Sequence, residues 1–146
     1  MPAAPIPLDE SARLNALADH GPLSAEIDDA LQAIAEAAAA VIGAPVGLVS
    51  FVGADRQVFK GCVGLDGVEQ TPREHAFCAY TILGADILEV EDATRDSRFS
   101  DNPFVIGWPW IRYYAGIPIH ADEGARIGTL CVIDFEPRRI DDGARA

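Results

Sequence analysis

The chain has 146 residues, enough for one domain with a real core, and 49 % of them are hydrophobic, which excludes a disordered chain. Its 23 acidic residues outweigh 11 Lys and Arg, giving a net charge of −12. With no basic cluster to offset that charge, binding to nucleic acid or to an anionic membrane surface is disfavoured.

No apolar run approaches the length of a membrane span. The start, MPAAPIPLDE, lacks the basic opening and apolar core of a signal peptide. Cys62, Cys78 and Cys131 are odd in number and form no CxxC pair, which fits reduced thiols better than a disulfide framework. The expectation is a soluble cytoplasmic domain.

Residues 1–8 are rich in Pro and Ala and are expected to be disordered, leaving 9–146 as a single domain. Asp9–Ala18 reads as a short helix with Leu14 and Leu17 on one face, stopped by Gly21-Pro22. Ser24 can cap a second helix, with Glu26, Asp28 and Asp29 in its first turns, where the helix dipole favours acids. Ile27, Leu31, Ile34, Ala38, Val41 and Ile42 then repeat at helical spacing up to Gly43 and Pro45.

Val46–Val52 is rich in β-branched residues and reads as a strand. A turn at 53–56 returns it as Gln57–Cys62, and Gly-rich 61–68 reads as a loop. Thr71-Pro72-Arg73-Glu74 matches a capping box with Pro at the first helical position, which predicts a helix over 72–83. Ile87–Glu91 is a short strand.

The segment DATRDSRFSDNPFVIGWPW (92–110) has no steady period, yet Phe99, Phe104, Trp108, Trp110 and Ile111 are too apolar to be left in water. Folded back on a sheet, it is suited to building a small-molecule pocket. Arg112–Ile119 and Arg126–Asp134 flank a polar turn at Glu123-Gly124 and read as a last hairpin. Five strands joined mostly by hairpins, interleaved with helices, predict an antiparallel sheet in an α+β domain.

Five stretches in this order resemble a GAF sensor domain, of the subtype found in bacterial histidine kinases and diguanylate cyclases. They are LVSFVGADRQVFKGCVGL, PREHAFCAYTI, DATRDSRFSDNPFV, IRYYAGIPI and GTLCVIDFEPR, and the resemblance covers roughly residues 10 to 140. It implies a GAF/PAS-like central antiparallel sheet of five to six strands with helices on both faces. One face would carry the terminal helices, often used for dimerisation. The other would carry the mid-chain helix and the irregular segment, with a ligand pocket between. Two departures stand out. Tyr80 occupies the position where the subtype carries His, two residues after the Cys of the FCA motif, and the chain stops at DDGARA, which looks like the opening turn of a truncated last helix.

Each residue able to do chemistry has a structural alternative. Cys78 lies three residues after His75, so the two could form a Cys/His pair with an activated thiolate or a thioether link to a bilin. Ala79, not His, follows Cys78, and a small buried packing residue is the favoured reading. Nothing around Cys62, Cys78 and Cys131 matches the pattern of GAF proteins that reduce free methionine sulfoxide. His20, His75 and His120 lie far apart without ligand-like spacing, so no metal site is expected. Asp92, Asp96 and Asp101 suit turn caps, and Gly61, Gly64 and Gly67 form no phosphate loop. Of Tyr113 and Tyr114, which must face opposite sides of a strand, at most one can enter a pocket.

The function implied is a non-catalytic ligand-binding regulatory domain that controls an attached or partner output module of the histidine kinase or diguanylate cyclase type. The alternative is a dimerisation scaffold with no ligand; a bilin photosensor or a methionine sulfoxide reductase is less favoured. The candidate ligand-binding residues are Phe77, Cys78, Thr81, Asp92, Phe99, Asn102, Phe104, Trp110 and Tyr113, with no catalytic or metal-binding residue. The partners expected are an unidentified small molecule, a second copy in a homodimer and a signalling output domain. No cofactor is required by the sequence, and bilin and haem are disfavoured.

Overall fold

A computed structural model describes residues 4–19, 28–65, 67–121 and 124–139. The elements run α1 (Glu10–Asp19), α2 (Asp29–Ile42), β1 (Val46–Val52), β2 (Arg56–Val63), β3 (Gln70–Pro72), α3 (Cys78–Thr81), β4 (Leu88–Val90), α4 (Pro103–Ile106), β5 (Tyr113–His120) and β6 (Arg126–Asp134). Single 3-10 turns stand at Arg73–His75 and Ala93–Arg95. The six strands form one sheet in the order β3-β2-β1-β6-β5-β4, with every neighbouring pair antiparallel. This is the α+β architecture expected, with β3 as a sixth strand. Pro118 has no N–H for a ladder, and it sits in β5 beyond Tyr114–Gly116, the stretch paired with β4.

α2 is capped by Asp28, whose side chain accepts from Leu31 N. The expected cap Ser24, with Glu26 and Ile27, lies outside the described residues, as do His20, Gly21-Pro22 and Glu123. α2 sits directly on the sheet because two strand glycines leave room for its backbone. A Cβ at Gly47 would stand 2.3 Å from the Ala35 carbonyl oxygen, and one at Gly61 would stand 2.5 Å from that of Leu31. Neither position tolerates a side chain while α2 stays where it is.

α1 packs Ala16 and Leu17 against Ala121, Ala125 and Ile127 near the end of the last hairpin. Its ten residues make a marginal helix on their own, so side-chain anchors matter. Arg13 is 1 % exposed; its Nη1 donates to the Val52 carbonyl (2.6 Å) and its Nε to Glu10 (2.7 Å). Arg73, ahead of α3, is buried too and its Nη1 donates both to Glu10 and to the Gly53 carbonyl (3.0 Å). One carboxylate thus holds two buried guanidinium groups and ties α1 to the segment entering α3.

The helix predicted over 72–83 does not form. Thr71 is in β3, paired with Gln57, and its hydroxyl accepts from Gln57 Nε2 (2.8 Å) in place of capping a helix. Arg73 N bonds the Asp55 carbonyl, and the chain passes through one 3-10 turn and an extended Ala76 before the four residues of α3. Tertiary anchoring of Arg73 overrides the local capping signal. The Gly-rich loop also starts later than expected, since β2 continues through Val63.

The irregular segment takes the form its composition suggests, with short helical turns between bends. Asn102 caps α4 by accepting from Phe104 N (2.8 Å), and Pro103 stands at the first helical position. Asp92 caps the Ala93–Arg95 turn through Thr94 N, and Asp96 pairs with Arg98 at 2.7 Å. Not all of its aromatics are buried: Phe99 is 0 % exposed, whereas Trp108 and Trp110 are 61 % and 52 % exposed. The expectation that the tryptophans must leave water fails: more than half of each stays exposed, which is common for single aromatics at a protein surface.

Candidate functional site

The two faces of the sheet are covered differently. On one, Tyr113, Ala115 and Val132 lie under the α2 end of the helical layer with Ala38 and Ile42. On the other, Leu48, Phe59, Tyr114, Cys131 and Ile133 meet Phe77, Cys78, Phe99, Val105 and Ile111 from the cap formed by 73–82 and 92–111. Within this second layer is a cavity with a volume of about 60 Å³ open to water centres. Its floor is Leu48, Tyr114, Cys131 and Ile133, its β2 wall Gln57 and Phe59, and its cap includes His75, Phe77, Cys78, Phe104, Trp108 and Ile111.

The cap is braced by buried polar groups. Asn102 is 0 % exposed, and its Nδ2 donates to the His75 carbonyl (2.9 Å), joining the two cap segments. Phe99 stacks on Phe77 with centroids 4.1 Å apart and planes at 8°. Tyr80, in the position of the subtype's His, meets Phe99 edge-on at 5.1 Å, behind the cavity. Arg126 Nε donates to the Ile82 carbonyl (2.7 Å), fixing the end of α3 to β6.

Beneath the cap lies a hydroxyl and thiol network. Thr129 Oγ1, Ser50 Oγ and Tyr114 OH approach Cys78 Sγ at 2.9, 3.3 and 3.4 Å, and Tyr114 OH is 2.7 Å from Thr81 Oγ1. Hydrogen bonding from the Cys131 thiol, against burial and with help from those hydroxyls, draws the Cys78 thiol below its ordinary range. The same contact, with burial, pushes the Cys131 thiol up, and burial pushes the Tyr114 phenol up. Cys78 is 2 % exposed, so its sulphur meets only what enters the cavity. His75 and Cys78 both line that space, but the partners of the Cys78 sulphur are these hydroxyls and Cys131. Among the described residues, no group of three or more His, Cys, Asp or Glu could hold a metal ion.

Of the residues proposed from sequence, Phe77, Cys78 and Phe104 line the cavity. Thr81, Phe99 and Asn102 lie behind the lining and hold it through Tyr114, Phe77 and His75 respectively. Asp92 caps its turn away from the cavity and Trp110 faces solvent. Tyr113 lies on the opposite face of the sheet, with its hydroxyl donating to Glu89 (2.9 Å), and Tyr114 takes the inward position. The candidates from sequence omit Gln57, His75, Trp108 and Tyr114, although Trp108 belongs to the pocket-building segment and Tyr114 is weighed against Tyr113. Gln57 carried a signal: it shares one face of β2 with Phe59, and a polar residue on a buried face calls for a partner.

The GAF domain family model matches residues 26–145. A cyclic di-GMP phosphodiesterase of Pseudomonas aeruginosa is 46 % identical over 138 residues, which span 94 % of this chain but 23 % of that protein. The chain therefore spans under a quarter of the curated relative it matches. Among solved structures, the GAF domains of phosphoenolpyruvate-protein phosphotransferases from Coxiella burnetii and Acinetobacter superpose with TM-scores of 0.65 and 0.62. They are 13 % and 17 % identical and cover 92 % and 91 % of this chain, and 83 % of each of those chains is covered. A free methionine-R-sulfoxide reductase from Neisseria meningitidis aligns with a TM-score of 0.63 at 15 % identity, over 92 % of this chain and 76 % of that one. At such identities the structural likenesses speak for the fold alone. Taken with the family match over most of the sequence, the six-stranded sheet and its capped cavity establish that this chain belongs to the GAF domain family.

Proposed function

We propose that the chain is a ligand-binding regulatory domain of a larger signalling protein, itself non-catalytic, and that the protein's output concerns cyclic di-GMP turnover. The observation that carries the reading is the cavity between sheet and cap, which the aromatic segment covers without filling: Phe99 stacks behind it and Trp108 stands at its rim. A scaffold would be expected to close such a space. The relative named a cyclic di-GMP phosphodiesterase supports the choice of output over the histidine kinase type, with this domain as its regulatory part. Three free cysteines, two of them in buried contact, are compatible with a reducing cytosol.

The route from ligand to output runs through contacts already described. The segment that carries His75 and Phe77 also carries Arg73, which is bound to Glu10 of α1. A ligand that moves the cap biases the seating of α1 only if its affinity differs between two seatings. A dimerisation role alongside is supported by Ile34 and Val41, 46 % and 77 % exposed on α2.

The test is native mass spectrometry of the chain purified from a bacterial cytosol, beside a denatured control. A mass excess that disappears on denaturation, and that Phe104→Ala or Phe77→Ala removes from folded protein, is the expected result. A chain that also fails to bind any member of a metabolite library by ligand-detected NMR would refute the sensor reading and leave the scaffold.

A further inference from the structure

The cavity carries a polar mismatch. Among the described residues, two buried side-chain polar atoms have no hydrogen-bond partner, Gln57 Oε1 and His75 Nδ1. Both residues line this cavity. Gln57 is 6 % exposed, and its orientation is held by Nε2 donating to Thr71 Oγ1 (2.8 Å), which leaves Oε1 as a fixed acceptor. His75 Nε2 lies 3.7 Å from Glu74 Oε1, which leaves Nδ1 as the buried, unpartnered nitrogen of the ring. Buried polar atoms without partners are rare in native proteins, and the fixed acceptor at Gln57 asks for a donor.

The rest of the lining narrows the ligand. It holds no Lys or Arg, and the Cys78 thiol on its wall is drawn below its ordinary range, so an anion entering it would be buried without a countercharge. Phe59, Phe77, Phe104 and Trp108 make the rest of the lining strongly aromatic. A volume of about 60 Å³ is smaller than the roughly 150 Å³ that holds one benzene ring, so even a single ring enters only as the cap gives way. Resting on the sensor reading above, we infer that the cavity takes a neutral, single-ring aromatic molecule that donates its O–H or N–H to Gln57 Oε1, a phenol-type ligand. A cyclic dinucleotide, with two phosphates and four rings, suits neither the charge nor the size of this space.

The test measures binding of phenol, toluene and benzoate to the full 146-residue chain by calorimetry and ligand-detected NMR. Phenol is expected to bind about five- to tenfold more tightly than toluene, the contribution of one hydrogen bond, and benzoate more weakly than either. Gln57→Leu should bring phenol down to the level of toluene without weakening toluene. Gln57→Met, closer in length to glutamine, should do the same if Gln57→Leu does not fold, whereas His75→Phe should leave the preference in place. Equal affinity for phenol and toluene, a preference for benzoate, or a phenol preference that survives the Gln57 substitutions would overturn the donor assignment while leaving the cavity a ligand site. Failure of all three probes to bind would overturn the aromatic-ligand assignment, whereas the sensor reading falls only if the native mass spectrum and the metabolite library are also blank.

Discussion

Replacing Glu10 by alanine leaves Arg13 and Arg73 buried side by side with no carboxylate between them. Arg13 would keep only the Val52 carbonyl, and Arg73 the carbonyls of Gly53 and Ala54. Their side chains are 1 % and 8 % exposed, so water cannot take the place of Glu10. Breaking a buried ion pair by removing one partner costs about 3–5 kcal/mol. Glu10 itself keeps 18 % of its side-chain surface in solvent, which points to the lower end, about 3 kcal/mol. The assay is urea unfolding at pH 7 followed by circular dichroism, with α1 reported separately by hydrogen exchange. A loss below about 1 kcal/mol, with α1 protection unchanged, would refute the argument. The pH dependence gives an independent check. Burial pushes the Glu10 carboxyl up, but hydrogen bonds from Arg13 and Arg73 and their charges outweigh it and hold it at about 2, below the ordinary 4.5. A carboxyl lowered on folding stabilises above its unfolded value and loses that contribution as pH falls from about 4.5 through about 2. Glu10→Gln should flatten the wild-type decline across that window; an unchanged slope would contradict the assignment.

Three further outcomes follow from single contacts. Asn102→Ala removes both the α4 cap and the bond to the His75 carbonyl, and should cost about 2–3 kcal/mol in urea unfolding; Asn102→Asp, which keeps the cap, should recover part of it. Gly47→Ala sets a methyl 2.3 Å from a backbone oxygen that no rotamer change can move, so α2 or β1 must shift, at about 1–3 kcal/mol; unchanged stability would mean that α2 is not seated as described. Tyr114→Phe takes the partner from buried Thr81 and should lower stability by about 1–2 kcal/mol, and a midpoint in urea matching wild type would count against the network.

How far the sequence could be read depended on how local each signal was. The strand pairs β1–β2 and β5–β6 were legible because alternation and turn residues lie within a few positions of each other. The helix over 72–83 was misread for the opposite reason: its capping box is a local pattern, and the contacts that override it, Thr71 with Gln57 and Arg73 with Glu10, reach across 14 and 63 positions. Half of the site follows the same rule. The aromatic segment announced a pocket by composition, but strand parity alone could not say whether Tyr113 or Tyr114 points inward. That choice is set by the register of β5 against β4 and β6, which only the assembled sheet fixes.

On the proposed reading, the two faces of the sheet differ in how their covering layers are held. α2 rests on β1 and β2 through backbone contact at Gly47 and Gly61, with no flexible side chain between to absorb a displacement. The cap is held by side-chain packing of Phe77, Phe99, Val105 and Ile111 on the sheet and by separable hydrogen bonds, Asn102 to His75 and Arg126 to the end of α3, each worth about 1 kcal/mol or slightly more. Side-chain contacts of this kind can be rearranged one at a time around the cavity, while the rigid seat of α2 favours movement as a unit. Arg73 belongs to the cap by sequence and to α1 by its partner, Glu10. Arg73→Met would keep the stem and remove the charge, so it should separate the two events: ligand binding retained within about threefold, and hydrogen-exchange protection of α1 no longer altered by ligand. If α1 still responded to ligand in that variant, coupling would have to run through the sheet and α2.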